Sequence, residues 1–337
     1  MITTSSTLST EQAERILTLA EAASRVDGDL ALDEAARLAL RAQQASSACT
    51  HLLAAAAEAG TGPDSLAGYA SVLPDGTVQG VVDPAERGRG IGSALLQAAQ
   101  EAARSAGVQP AVWVHGDLPD SLGFLMRRGF EPARSLLVMT APITAPAPGE
   151  QAAGEQAAGG SVTIRRFDSS PRDLDQLQQV NARAFAEHPE QGQLTRDDLR
   201  QRMDEDWFQP EDLFVAEDPN GRMLGFAWLK RAGGTSELYV LGVDPDAQGS
   251  GLGAALLTRA LAHLAELGEV AVELYVDGDN TAAVRLYEKQ GFAVTAHHTQ
   301  LRPAEHPGGV GLQNRAEPGT ESAAWDSETD ARAGDAG

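Results

Sequence analysis

Two stretches of this chain carry glycines at a spacing that suits a phosphate. Residues 82–96 read VDPAERGRGIGSALL and residues 243–257 read VDPDAQGSGLGAALL. In each, an apolar run leads into glycines and then into an alanine- and leucine-rich segment, the order strand, loop, helix. A helix that starts this way presents unpaired backbone N–H groups at the positive end of its dipole, and the glycines let an anion approach them. No Gly-Lys-Ser/Thr follows either loop, so a P-loop is excluded. The loops also sit in mid-domain after several strands, with no ribose-binding acid about 20 residues on, which argues against a dinucleotide fold. A helix start that merely needs flexible turns would explain one copy; it explains two less well.

The repetition extends beyond the loops. Adding 161 takes Val82, Asp83 and Pro84 to Val243, Asp244 and Pro245, and Gly88, Gly90 and Gly92 to Gly249, Gly251 and Gly253. Further on, FLMRRGF (124–130) matches LYEKQGF (286–292) at an offset of 162. Two motifs at nearly constant separation mark a duplicated domain. A length of 337 residues also exceeds what one core usually holds. We expect a first repeat over 1–140, a flexible linker rich in Pro, Ala, Gly and Gln over 141–160, a second repeat over 161–302 and a disordered tail over 303–337. In the second repeat, LFVAED, RMLGFAWLKR, TSELYVLGV and VAVELYV read as strands, and so does the run from GFAVTAHHT. GAALLTRALAHLAELG and TAAVRLYEKQ read as helices. Alternating in this way they predict an α/β (α+β) fold on a mixed sheet.

Composition narrows the partners. A formal net charge of −22 opposes nucleic acid and anionic membranes, which need clustered Lys and Arg. With 42% hydrophobic residues the chain can bury cores, yet no run approaches the roughly 18 apolar residues of a membrane span. The N-terminus lacks the basic start and apolar block of a secretory signal. Cys49 is the only cysteine, which rules out an internal disulfide and reads as a small buried residue without chemistry. The expectation is a soluble, cytoplasmic monomer with no nucleic-acid or membrane partner and no metal.

The pattern of Gln or Arg, two residues, Gly, one residue, Gly resembles the pyrophosphate loop of the GCN5-related N-acetyltransferases. That family's second signature, N-x-x-A-x-x-x-Y-x-x-x-G-F, is present as Asn280, Ala283, Tyr287, Gly291 and Phe292. The resemblance occurs once per half and implies two tandem acetyltransferase domains with acetyl-CoA as co-substrate. It assigns cofactor contacts to Gly80, Val81, Val82, Gly88, Arg89, Gly90, Ile91, Gly92 and Ser93 in the first copy. In the second they are Leu241, Gly242, Val243, Gln248, Gly249, Ser250, Gly251, Leu252, Gly253 and Ala254, followed by Asn280, Thr281, Ala282, Ala283, Val284 and Arg285. The strand edge from Leu241 to Val243 would pair with the pantetheine amides as an added strand does.

Acetyl transfer to an amine needs a base for the ammonium and an acid for the sulfur. The resemblance places Glu237 beside the thioester and Tyr287 at the position that protonates the thiolate; an exposed strand glutamate and a tyrosine that only packs are the plain alternatives. At offsets of 161 and 162 these residues fall on Gly76 and Leu125, so the second repeat is expected to be catalytic and the first to lack both proton-handling groups.

NARAFAEHPEQG (181–192), FAWLK (226–230) and ELYVLGVDPDAQGSGLG (237–253) narrow the resemblance to tandem members that acetylate the cysteinyl amine of cysteinyl-glucosaminyl-inositol, an amino-thiol pseudo-disaccharide. It implies substrate contacts at Glu190, Lys230, Glu237 and Tyr275, with Glu34 or its neighbour Asp33 from the first repeat. The other reading is a family member acting on a protein or peptide amine or an aminoglycoside.

Overall fold

The computed structural model describes residues 2–41, 49–56, 66–144, 162–186, 191–232 and 234–304. The expected linker from 145 onward and the tail from 305 lie outside the described residues, as does Glu190.

Each repeat follows the same course. The first runs through β1 (Ile2–Ser5), α1 (Thr10–Asp27), α2 (Glu34–Arg41), β2 (Thr50–Ala55), β3 (Leu66–Val72), β4 (Thr77–Val82), α3 (Ile91–Ser105), β5 (Ala111–Val114), α4 (Pro119–Met126) and β6 (Phe130–Pro142). The second runs through β7 (Thr163–Arg166), α5 (Pro171–Ala184), α6 (Arg196–Met203), β8 (Leu213–Glu217), β9 (Met223–Ala232), β10 (Thr235–Val243), α7 (Leu252–Glu266), β11 (Ala271–Asp277), α8 (Thr281–Lys289) and β12 (Ala293–Pro303). The sequence itself sets the helix boundaries. Ser9 and Gln12 form a capping box at the start of α1, and Gly28 closes that helix in the left-handed conformation.

The strands form one twelve-stranded mixed sheet in the order β1-β2-β3-β4-β5-β12-β6-β11-β10-β9-β8-β7. The closing strand of each repeat is therefore exchanged. β12 lies between β5 and β6, and β6 lies between β12 and β11. The cores follow the strands: Leu301 of β12 is buried with Leu52, Val112 and Phe130 of the first repeat, while Met139 and Ala141 of β6 are buried with Leu256, Leu274 and Tyr287 of the second. β6 runs through Pro142, and the Ile143 N–H donates to the Val270 carbonyl.

Two strand pairs are parallel, β4 with β5 and β10 with β11, and each is joined at only two positions. Thr77 and Val78 pair with Ala111 and Val112; Ser236 and Glu237 pair with Val272 and Glu273. Beyond those pairs the strands have no mutual ladder, which leaves two gaps in the sheet, one beside each glycine loop.

Candidate active site

The glycine loop of the second repeat is held open from below. After β10 a 3₁₀ turn over Pro245–Ala247 is capped by Asp244, whose side chain accepts from the Asp246 N–H. Asp244 is buried and ion-paired with Arg183 at 2.9 Å and Arg222 at 3.1 Å. Although burial opposes its charge, the Asp246 N–H and the two guanidiniums hold its carboxyl below the usual range. Gly249 and Gly251 then adopt φ of +76° and +83°, a region where side chains are strained. Helix α7 begins at Leu252 with Gly251 as its cap and no side chain on its first N–H groups. Those amides are free for an anion. The Gln248 N–H donates to the Pro245 carbonyl, so the anion-facing set starts at Gly249. Leu241, Gly242 and Val243 form the end of β10 past its last pair with β11, with an edge that has no ladder partner among the described residues.

Helix α8 flanks the same gap. A Cβ on Gly253 would lie 3.6 Å from both Leu286 and Val243, so α8, the loop helix and the end of β10 meet there. Asn280 caps α8, its Oδ1 accepting from the Ala283 N–H at 3.1 Å; this occupies the side chain and leaves Thr281 to Arg285 in the helix's first turns. Tyr287 is 7% exposed, packs against Phe292 at 5.8 Å between ring centroids, and belongs to the core that contains Leu252 and Leu256. Burial pushes its hydroxyl up to about 12, which keeps the proton on oxygen at neutral pH.

At the point where β10 and β11 part, cross-strand pairing sets three charged residues in a row. Lys230 of β9 stands opposite Glu237, and Glu237 stands opposite Glu273. Glu34, at the start of α2 in the first repeat, reaches across to ion-pair with Lys230. The Lys230 ammonium also lies over the rings of Trp207 at 5.0 Å and Tyr239 at 5.3 Å. Arg231, the next residue, binds Asp212 at 2.8 Å, and Asp212 is buried against His263 at the same distance. Burial raises the Glu237 carboxyl, the nearby Lys230 cation lowers it, and the Glu34 and Glu273 charges raise it again; together they hold it at about 7.

Tyr275 completes the group from β11. It is 37% exposed and its ring stacks on His298 of β12 at 5.9 Å and 16°. Burial and then the charges of Glu273, Glu237 and Asp29 push its hydroxyl up. The structure thus brings Glu34, Lys230, Glu237 and Tyr275 to one place. Asp33 is not the equivalent of Glu34: it caps α2 through the Ala36 N–H at 2.9 Å, and its own N–H is held by Gln79. Glu273, Tyr239, Trp207, Asp29 and His298 also belong to this place and were not singled out in the sequence. Glu273 alone had a signal there, two residues before Tyr275 on an alternating strand.

The first repeat repeats the loop geometry. Gly88 and Gly90 have φ of +76° and +86°, and α3 starts at Ile91 without a side-chain cap. A cavity of about 650 Å³ runs along it, lined by Gly80 to Val82, by Gly88 and Gly90 to Ser93, and by Trp113, His115 and Phe124. Arg89 pairs with Glu86 at 3.0 Å, and Ser93 Oγ accepts from Arg128 at 2.7 Å. Counting along the ladders corrects one correspondence. Val82 opposes Gly68 and Val243 opposes Gly225, but β10 carries a bulge between Leu238 and Val240 that β4 lacks. Glu237 therefore matches Thr77, not Gly76. The position still lacks a carboxylate, and the Thr77 hydroxyl donates to Asp75 at 2.9 Å. Leu125, at the place of Tyr287, is 3% exposed in the core. Cys49 is buried as expected, and burial lifts its thiol to about 11.

Among the described residues no group of three His, Cys, Asp or Glu could hold a metal ion, and no helix is long and apolar enough to cross a membrane. The model of the acetyltransferase (GNAT) family, whose co-substrate is acetyl-CoA, matches residues 16–130 and again 175–292. A mycothiol acetyltransferase of Clavibacter sepedonicus is 42% identical over 291 residues, covering 86% of this chain and 91% of that protein. One of Kineococcus radiotolerans is 44% identical over 296 residues, covering 85% and 91%. Among solved structures, a tandem GNAT protein from the clavulanic acid biosynthesis pathway covers 91% of this chain and 99% of its own, at 17% identity and a TM-score of 0.65, a likeness of fold. With two copies of the family domain and relatives this similar over most of their length, the chain belongs to the acetyltransferase (GNAT) family and, within it, to the group that contains these mycothiol acetyltransferases.

Proposed function

We propose that the second repeat acetylates the cysteinyl amine of cysteinyl-glucosaminyl-inositol to give mycothiol, with Glu237 as base and Tyr287 as acid. The observation that carries this reading is Glu237, a carboxyl held at about 7 where β10 and β11 part. The names of the relatives support the acceptor. Bound acetyl-CoA supplies the acetyl group as a thioester. The loop amides from Gly249 and the free edge of β10 fit its pyrophosphate and its amide-bearing arm. Glu237, ionised above pH 7, takes a proton from the ammonium of the cysteinyl group, whose pKa as an α-amine is near 8. The near match of these values makes the transfer inexpensive in either direction. Tyr287, protonated throughout the working range, gives its proton to the sulfur. Lys230, Tyr275, Glu34 and Glu190 supply polar partners for the hydroxyls of the acceptor. The first repeat, with loop and cavity but Thr77 and Leu125 in place of the two proton-handling groups, binds acetyl-CoA without turning it over. The chain works as a cytoplasmic monomer without nucleic-acid, membrane or metal partners.

Purified protein with acetyl-CoA is expected to acetylate the cysteinyl pseudo-disaccharide and to leave a panel of peptides and aminoglycosides nearly untouched. Turnover of peptides alone would remove the assignment.

The charge balance around Glu237 gives a second expected result. The base must be ionised, so kcat/KM falls as pH drops through about 7. Lys230→Met takes away the cation that lowers this pKa and leaves Glu34 unpaired beside it. The acid limb should then move to higher pH by roughly one pH unit. An acid limb that stays in place, or moves down, shows that another group sets it.

A further inference from the structure

The two repeats place different residues at one position. By the strand ladders, Trp113 of β5 stands where Tyr275 stands in β11, and His115 follows two residues after Trp113. Because the closing strands are exchanged, β12 inserts beside β5 and carries His298 into contact with both Tyr275 and His115. His298 is 4% exposed. One face stacks on Tyr275 at 5.9 Å and 16°, and His115 meets the ring edge to face at 5.0 Å and 74°.

The ring of His298 is also fixed against rotation. Its Nδ1 accepts from the Gly116 N–H at 2.7 Å, so in the neutral ring the proton sits on Nε2. Burial and the neighbouring His115 disfavour the charged form, while Asp29 and Asp117 favour it; the net direction is toward neutral. Gly116 is itself constrained, with φ of +67° and Asp29 Oδ2 within 2.5 Å of where a Cβ would lie. Tyr275 is 37% exposed even with His298 stacked on it, which leaves part of the side chain open to a ligand.

We propose that His298 is a positioning residue for the acceptor: held by the Gly116 N–H and stacked on Tyr275, it fixes the orientation in which the Tyr275 ring meets the pseudo-disaccharide. This rests on the reading of the Glu237–Tyr275 region as the acceptor site. It makes the site depend on the first repeat, which supplies Gly116, and on the exchanged strand, which supplies His298.

Three variants separate positioning from structural support. His298→Ala should raise KM for the acceptor about three- to tenfold, the range of a stacked aromatic contact, with KM for acetyl-CoA unchanged. His298→Phe keeps a flat ring on Tyr275 and should restore most of the acceptor KM. His298→Asn keeps an acceptor for the Gly116 N–H without the ring and should restore melting temperature but not KM. Rescue of KM by Asn and not by Phe would overturn the proposal, as would acceptor KM values within twofold of wild type in all three. Should His298→Ala fail to fold, the Phe and Asn variants carry the comparison. In the background of Tyr275→Ala, His298→Ala should add no further loss; full additivity also overturns it. A wild-type protein that does not acetylate the pseudo-disaccharide removes the acceptor assignment itself and the proposal with it. An active wild type with unaffected variants removes the proposal alone.

Discussion

Glu237→Gln should lower kcat by about 10²- to 10⁴-fold, the range that a positioned general base contributes, with KM for acetyl-CoA close to wild type. Glutamine keeps the volume and the burial of the side chain but has no basic oxygen for the ammonium proton. The choice of Glu237 over its neighbour Glu273 follows from their places in the row. Glu237 has a cation on one side, Lys230, and a carboxylate on the other, and it is the last residue of β10 paired with β11 before the gap opens. Glu273 lies one strand further, and its carboxyl is raised by burial and by Asp29. Glu273→Gln is therefore expected to lower the pH at which activity appears, since its charge helps hold Glu237 up, while leaving kcat at its plateau within a fewfold of wild type. A Glu237→Gln enzyme that keeps a tenth or more of its kcat would transfer the base to Glu273 or to solvent.

The parts of this site that were legible in the sequence are those encoded by local spacing. The two glycine loops need positive φ at fixed positions before a helix, and only glycine meets that need without strain, so the residues show in the letters themselves. Tyr287 was readable through the family signature that starts at Asn280, not from its spacing alone. The bulge in β10 was not. It inserts one residue between Leu238 and Val240 with no glycine or proline to mark it, and the offset of 161 read at the loops, carried back along the strand, passes over it. Glu34 and Asp33 could not be separated by sequence, since both are acids at the start of a helix. Only the hydrogen bonds show that one caps the helix while the other reaches Lys230. The convergence of Asp29, His298 and Tyr275 depends on which strands lie side by side. Alternation tells which face of a strand is buried but not which strand covers its edge. β12 reads as an ordinary closing strand of its own repeat, and nothing in the composition of β6 or β12 announces the exchange.

The exchange carries the second large expected effect. If the repeats were independent, residues 2–144 and 162–304 expressed separately would each fold. Instead the first piece lacks β12, which fills the space between β5 and β6 and brings Leu301 into its core. The second piece lacks β6, whose Leu136–Pro142 stretch pairs with every residue of β11 and brings Met139 and Ala141 into the other core. Losing one fully buried leucine costs about 2–5 kcal/mol, and a domain holds only about 5–15 kcal/mol in all. Losing an interior strand, with its two ladders and its apolar face, exceeds that margin, and the strand edges left open favour aggregation. Neither piece alone should show a cooperative thermal transition by circular dichroism. A protein cut at a protease site placed within 145–161 after folding should behave differently. Its two chains should co-elute and unfold in one transition, because both exchanged strands are already in place. Two separate pieces that each melt cooperatively, near the temperature of the intact chain, would show that the repeats do not need each other's strands to fold.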